Sequence, residues 1–277
     1  MQFSPRPYQQ VAIDRMRDHE VHYLALRMGL GKSVIALTAV QDMLRKDGAG
    51  PALVVAPKRV AELVWAQEAA KWDHLAGLRV QKALGTAQQR ADALRKPADV
   101  HVINRECFPW LVRMITEARR PWPWPIVLLD ENVGFRDRGS KAWQAVKQVR
   151  HRIERLYMLS GTPTPNGLLD LWAQISILDK GARLGTGITR YRERWFEPDR
   201  RNGHVVYSWR PKPGAQAEIE AAVADIMLSL EGQADLPERI DNIVPVTFDR
   251  TRYRELEQTM VSGALMASSA GVHLRCA

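Results

Sequence analysis

Residues 23–37 read YLALRMGLGKSVIAL, and this stretch decides the fold. Its first four residues suit a buried strand, Gly29-Leu30-Gly31-Lys32-Ser33 breaks the run, and from Lys32 onward apolar residues recur at helical spacing. A strand that enters a glycine turn and passes straight into a helix is the layout of a phosphate-binding loop. The glycines let backbone N–H groups approach phosphate oxygens and the helix N-terminus adds a positive field. A lysine reaches the outer phosphates and a hydroxyl can ligate magnesium. Met28, Gly29, Leu30, Gly31, Lys32 and Ser33 are therefore the candidate nucleotide-binding residues, with Ser33 also a metal ligand. The match is partial, because Leu26 stands where the full pattern has glycine or another small residue. Alone, the pentapeptide reads equally well as a helix cap; its place between strand and helix favours the loop.

Outward from this point, short apolar runs alternate with amphipathic segments. Strands are expected at 23–26, 52–56, 78–83, 99–103, 126–129 and 155–159. Helices are expected at 32–45, 59–72, 86–95, 106–118, 141–149 and 167–178. Strand-helix alternation of this kind gives an α/β lobe with a central, mostly parallel sheet and helices on both faces. After Lys180 the character changes to a basic, glycine-punctuated stretch up to 212, followed by a helix-like run at 215–230. The expected organisation is a lobe at 1–180, a basic aromatic appendage packed on it at 181–230, and a linker at 231–277 that includes a helix-like segment at 251–260.

A phosphate-binding loop needs an acidic partner to hold the metal and orient water. PIVLLDEN at 125–132 supplies one: Asp130 and Glu131 end an apolar strand, at the edge where open parallel sheets bind ligands. Asp130 is the candidate magnesium-holding carboxylate and Glu131 the group that polarises the attacking water. In isolation an Asp-Glu pair more often starts a helix; the preceding strand and the upstream loop reverse that preference. The third element is LSGTPTPNGLLDLW at 159–172, where Ser160, Gly161 and Thr162 put short hydroxyl side chains on a tight turn that could sense the outer phosphate.

The composition agrees with a packed, soluble domain. The chain has 277 residues, 45% hydrophobic and 26% charged, which argues against a disordered, collagen-like or disulfide-stapled protein. Cys107 and Cys276 are its two cysteines, far apart and outside any metal-ligand spacing, and no disulfide is expected. The seven histidines form no ligand cluster. Apolar runs are too short for a membrane helix and MQFSPRP lacks a signal-peptide core, so a cytoplasmic protein with no membrane partner is expected. Forty Lys+Arg against 31 Asp+Glu leave a charge of +9, which favours a polyanionic partner.

With these elements in order, the sequence resembles a superfamily 2 DEAD/DEAH-type helicase or translocase, Swi/Snf-like, of the phage or prophage type. RPYQ at 6–9 resembles the adenine-reading Q motif, MGLGKS motif I, VVAPKRV motif Ia, DENV motif II and SGTP motif III. More specific are the flanking phrases WAQEAAKW, GFRDRGSKAW, PNGLLDLWAQISILDKGARLG, YRERWF and NGHVVYSWRPKPGA. The resemblance implies a RecA-like P-loop lobe that binds ATP and Mg2+ and moves on DNA, RNA being the lesser expectation. Arg6 and Gln9 would read the base, Lys32, Asp130 and Glu131 carry the chemistry, and Ser160, Gly161 and Thr162 couple it to motion. Lys58 and Arg59 would touch the nucleic-acid backbone.

The sequence departs from the family pattern in three places. Motif II continues with Asn132-Val133, Arg27 stands where the family often has an acid, and Ser33 replaces the commoner threonine. A second RecA-like lobe, whose arginine finger is worth ~10³ to 10⁵ in rate, is not recognisable in the chain and is expected to be missing from it. The lobe alone is therefore expected to bind ATP better than it hydrolyses it.

Other basic segments carry two readings. The stretch 180–212 interleaves arginines with Tyr191, Trp195, Phe196, Tyr207 and Trp209, which suits a nucleic-acid track or the small core of an insertion, with the second favoured. Trp65 and Trp72, seven apart on one helix face, read as core packing, and PWPWP at 121–125 as a stiff extended lead into the motif II strand.

Overall fold

The computed structural model describes residues 1–46, 48–165, 167–202 and 205–230. The expectations for 231–277, including the linker, the helix-like segment at 251–260 and Cys276, fall outside them.

Among the described residues, seven strands form one parallel sheet: β1 (Val21–Ala25), β2 (Ala52–Ala56), β3 (Val80–Ala83), β4 (Val100–Asn104), β5 (Ile126–Asp130), β6 (Arg155–Ser160) and β9 (Met227–Ser229). Their order across the sheet is β3-β4-β2-β5-β6-β1-β9. Every residue of β2, β4 and β5 is buried, which explains why β2 and the first four residues of β5 read as unbroken apolar runs, while β4 buries His101 and Asn104 among its apolar residues. The chain leaves β1, runs outward through β2 to β3, then turns back through β4, β5 and β6. Right-handed crossovers in opposite directions put the helices on opposite faces. One layer holds α1 (Pro7–Asp18), α2 (Lys32–Lys46) and α3 (Lys58–Lys71); the other holds α5 (Phe108–Glu117), α6 (Lys141–Val149) and α7 (Leu169–Leu178). The short α4 (Ala87–Arg95) packs beside β3, its Thr86 N-cap hydroxyl accepting from the Gln89 N–H.

The α/β lobe expected from the sequence is thus present, and most element boundaries agree within two residues. Three features differ. Sequence reading assigned no helix to 7–18, where α1 forms. Gln9, Ala12, Ile13 and Met16 line its buried stripe at helical spacing, but Gln9, Asp14, Arg15 and Arg17 dilute the apolar signal. The helix-like run 215–230 is corrected: α9 (Ala215–Val223) ends early, and Met227–Ser229 becomes edge strand β9 beside β1. Finally, α8 (Ile188–Trp195) leads into an antiparallel hairpin of β7 (Phe196–Asn202) and β8 (Val205–Pro211). Tyr191, Trp195 and Phe196 are buried in the same core as α5, α6 and α7, whereas Tyr207 on the hairpin is 69% exposed.

This topology positions the site. In the sheet, β6 lies between β5 and β1, with Asp130 opposite Leu159 and Ala25 opposite Ser160. Neighbouring strands stand ~4.8 Å apart, so the ends of β1, β6 and β5 fall within about 10 Å along one edge.

Candidate nucleotide site

The loop after β1 has the conformation its glycines were expected to allow. Gly29 and Gly31 take φ of 84° and 77°, the left-handed region that favours glycine. A Cβ on Gly29 would meet nothing within 4 Å, so the loop faces open space there. One on Gly31 would lie 2.7 Å from Gln9 Nε2. Leu26 is fully buried, so the position that departs from the glycine pattern turns its side chain into the core. Met28 is 76% exposed at the crest of the loop. Lys32 starts α2 and folds back, its Nζ donating to the Leu26 carbonyl at 2.7 Å and the Arg27 carbonyl at 3.2 Å. Burial lowers its pKa, opposed by the charges of Asp130 and Glu131.

Asp130 ends β5 with 5% of its surface exposed. Burial pushes its carboxyl up to about 6, against the stabilising N–H groups of Trp65 and Glu131 and the Lys32 charge. Oδ2 accepts from Trp65 Nε1 at 3.0 Å and Oδ1 from the Glu131 backbone N–H at 2.9 Å. Glu131 has φ of 44°, a left-handed conformation costing a non-glycine residue roughly 1–3 kcal/mol. That turn takes the chain sharply off the strand and leaves Glu131 half-buried beside the site.

Ser160 is buried at the end of β6, and its Oγ accepts from the Thr162 N–H at 3.1 Å, closing the tight turn expected there. A Cβ on Gly161 would stand 3.7 Å from Met28 N, so this turn lies against the phosphate-binding loop. Gln174, fully buried on α7, donates to the Pro163 and Asp170 carbonyls at 2.8 Å each and accepts from Tyr23 Oη at 2.7 Å. It fastens the turn to the helix behind it and to β1. Arg136, past the acidic pair, reaches Asp170 at 3.1 Å and links the segments following β5 and β6.

Gln9 is buried, and both ends of its amide bond within the protein: Oε1 accepts from the Arg6 N–H at 2.9 Å and Nε2 donates to the Leu30 carbonyl at 3.3 Å. Tyr8 Oη donates to the same carbonyl at 3.2 Å. The RPYQ segment is thereby tied to the phosphate-binding loop, while Arg6 is exposed. Lys58 and Arg59 are exposed at the start of α3, just past the end of β2 and on the same sheet edge.

The donors brought together fit a nucleotide with magnesium. Magnesium prefers hard oxygen ligands, keeps several waters and takes one or two carboxylates besides phosphate oxygens. Asp130, Glu131 and the Ser33 hydroxyl are oxygen donors of that kind, and no cluster of three or more His, Cys, Asp or Glu suited to a fuller cage occurs among the described residues. Sequence reasoning missed two participants. Trp65 was assigned to the core, where it is fully buried, but nothing local announced its bond to Asp130. Gln174 did leave a signal, as a lone amide within the apolar helix LDLWAQISIL.

A glycine loop, a carboxylate pair and a Ser-Gly-Thr turn at the carboxyl edge of a parallel sheet define a RecA-like lobe of the P-loop class. The family model of the SNF2-related domain matches residues 8–202, and the chain belongs to that family. It is 33% identical over 270 residues to putative protein p41 of Acyrthosiphon pisum secondary endosymbiont phage 1, covering 93% of this chain and 58% of that protein. It is 32% identical over 183 residues to helicase ssl-1 of Caenorhabditis elegans, covering 62% of this chain and 7% of ssl-1. The fold is similar to the Sulfolobus solfataricus SWI2/SNF2 ATPase core solved in complex with dsDNA, with a TM-score of 0.65 and 21% identity, covering 83% of this chain and 45% of that one. The chain therefore spans little more than half of the phage relative and a small part of ssl-1. No helix among the described residues is long and apolar enough to cross a membrane.

Proposed function

We propose that this chain is the ATP-binding lobe of a DNA-dependent ATPase, a helicase or duplex-DNA translocase. The observation that carries the reading is the convergence, at the ends of three adjacent strands, of the Gly29–Ser33 loop, the Asp130-Glu131 pair and the Ser160–Thr162 turn. Membership of the SNF2-related family supports it.

In this reading the loop N–H groups and Lys32 hold the phosphates, the Lys32 ammonium exchanging its bonds to Leu26 and Arg27 for phosphate oxygens. Ser33 and Asp130 would hold magnesium, which would supply charge neutralisation at the reacting phosphoryl group. Glu131 accepts a hydrogen bond from the attacking water and orients it. The Ser160 turn, resting against Met28, reports the state of the loop to α7 through Gln174. Arg6 and Gln9 stand beside the base, and Gln9 would have to exchange a protein hydrogen bond to read it. The exposed Lys58 and Arg59 meet the nucleic-acid backbone, for which the dsDNA bound by the structural relative favours duplex DNA. The hairpin offers a second basic face, with Arg200, Arg201 and the exposed Tyr207. The likeness to a phage protein favours a site of action inside a bacterial host cell.

A second reading is favoured by the relatives' greater length: the lobe holds ATP and DNA but turns over negligibly until a second RecA-like lobe completes the site. One experiment separates the two. Phosphate release is measured with and without duplex DNA, for the chain alone and with the part of the phage relative that this chain does not cover, added as the candidate second lobe. DNA-stimulated release by the chain alone supports the first reading. Release only with the second lobe supports the second. Absence of release and of nucleotide binding in both conditions refutes the function itself. In either active case Lys32→Ala and Glu131→Gln must abolish release.

A further inference from the structure

The buried face of α3 is formed by Ala61, Trp65 and Ala69, spaced four residues apart. The two small residues let the helix settle on β2, β3 and β4, and the indole between them reaches past β2 to the next strand, β5. There its single donor meets Asp130 Oδ2 at 3.0 Å. Val127 and Leu129 belong to the core packed by α5 and α6, so strand alternation turns Asp130 toward the α3 face, where the indole waits. With the Glu131 N–H on Oδ1, each carboxylate oxygen has one fixed donor, and the remaining lone pairs are left for other ligands.

The chemistry of that donor is informative. An indole N–H fixes the orientation of a carboxylate without cancelling its charge. An arginine or lysine at the same place would compete with a metal for it. Trp65 is fully buried, so its N–H has no solvent to turn to if Asp130 moves. The same helix begins with the exposed Lys58 and Arg59, about 10 Å away along the axis at ~1.5 Å per residue.

We propose that Trp65 is a positioning residue that orients Asp130 and makes α3 the rigid link between a nucleic-acid backbone at Lys58 and Arg59 and the carboxylate of the nucleotide site. The link rests on the reading above that α3 starts at the DNA interface. A shift of the first turn of α3 on DNA contact is carried by the helix to Trp65 and so to Asp130, which offers a route by which DNA can stimulate the site.

The test measures binding of a fluorescent ADP to the full chain with Mg2+ or with EDTA, and with or without duplex DNA. Trp65→Phe keeps an aromatic ring in place and deletes the N–H. Replacing Trp65 by benzothienylalanine, which has the shape of tryptophan but no donor, separates the hydrogen bond from packing. Partners that orient metal ligands typically contribute ~10- to 100-fold in metal affinity. Both replacements are expected to cut the Mg2+-dependent gain in ADP affinity by about tenfold, to remove the effect of DNA on it, and to leave DNA affinity in the absence of nucleotide unchanged. If both variants fold and keep the wild-type response to Mg2+ and DNA, the positioning role is wrong. If Lys58→Ala with Arg59→Ala leaves DNA binding and the effect of DNA on the Mg2+ response intact, the link through α3 is wrong. Wild-type protein that binds ADP but no DNA refutes the functional reading instead.

Discussion

The buried acid at the end of β5 gives the sharpest prediction about stability. Burial raises the Asp130 carboxyl from the ordinary 3.8 to about 6. Between those values the folded protein holds a proton that the unfolded chain has released, so stability is lost as pH rises through the window. At ~1.4 kcal/mol per pKa unit the loss amounts to about 3 kcal/mol once the group is ionised. Asp130→Asn abolishes the titration at a separate cost. Its one amide oxygen faces two N–H donors, Trp65 Nε1 and the Glu131 amide, and an unsatisfied buried donor costs about 1–3 kcal/mol at any pH.

The two effects separate by their pH dependence. The unfolding free energy of Asp130→Asn relative to wild type is expected to start negative near pH ~4, climb by about 3 kcal/mol toward pH ~7, and stay level above. Urea unfolding followed by circular dichroism, in EDTA and without nucleotide, measures this directly. Thermal unfolding should show the same climb, since ~1 kcal/mol moves the midpoint of a domain this size by about 2–4 °C. The variant is also expected to lose the Mg2+-dependent part of ADP binding. Parallel pH curves for the two proteins would show that Asp130 is not a buried, ionisable group and would sink the electrostatic account of the site.

Other substitutions test the loop and its supports. Lys32→Ala removes a charged donor worth about 1.5–3 kcal/mol, so ATP affinity should fall by roughly 10- to 100-fold in a fluorescent-nucleotide titration; undiminished affinity would place the phosphates elsewhere. Gly31→Ala puts a Cβ 2.7 Å from Gln9 Nε2 and 3.2 Å from Val34 Cγ1, whereas Gly29→Ala meets nothing within 4 Å. Both carry left-handed strain of ~1–2 kcal/mol, but Gly31→Ala should show the lower melting temperature, and the reverse order would contradict the loop geometry. Gln174→Leu removes one hydrogen bond each from Tyr23 Oη, the Pro163 carbonyl and the Asp170 carbonyl, with an expected cost of about 2 kcal/mol in urea unfolding and a larger loss of turnover than of ATP binding.

The fold was legible because it rests on local signals. Strands buried on both faces, such as β2 and β5, appear as apolar runs, and the helices between them as amphipathic segments. The glycine loop, the acid pair and the Ser-Gly-Thr turn each follow a strand, and a parallel sheet places all such ends on one edge. Where signals conflicted, the reading failed. Residues 227–229 look like the tail of the helix that precedes them, and only β1, two hundred residues upstream in sequence, makes them a strand. The polar tilt of α1 hid its buried stripe, because Gln9 is inside for its hydrogen bonds to the loop and to Arg6 and not for hydrophobicity.

The parts of the site that escaped the sequence share one physical feature: they are hydrogen bonds between residues remote in the chain. Trp65 and Asp130 are 65 positions apart, and Tyr23 and Gln174 are 151 apart. Residue type and spacing identify groups that face a ligand, since the ligand imposes a pattern on them. The groups behind answer only to the geometry of the fold, so a buried tryptophan looks the same whether or not its N–H meets a carboxylate. Leu26 marks the opposite limit: the pattern gives it as a departure, yet with its side chain in the core it leaves the open face of the loop clear. A mismatch at a position whose side chain points away from the ligand therefore weighs less against a site than an intact motif whose supporting bonds are absent.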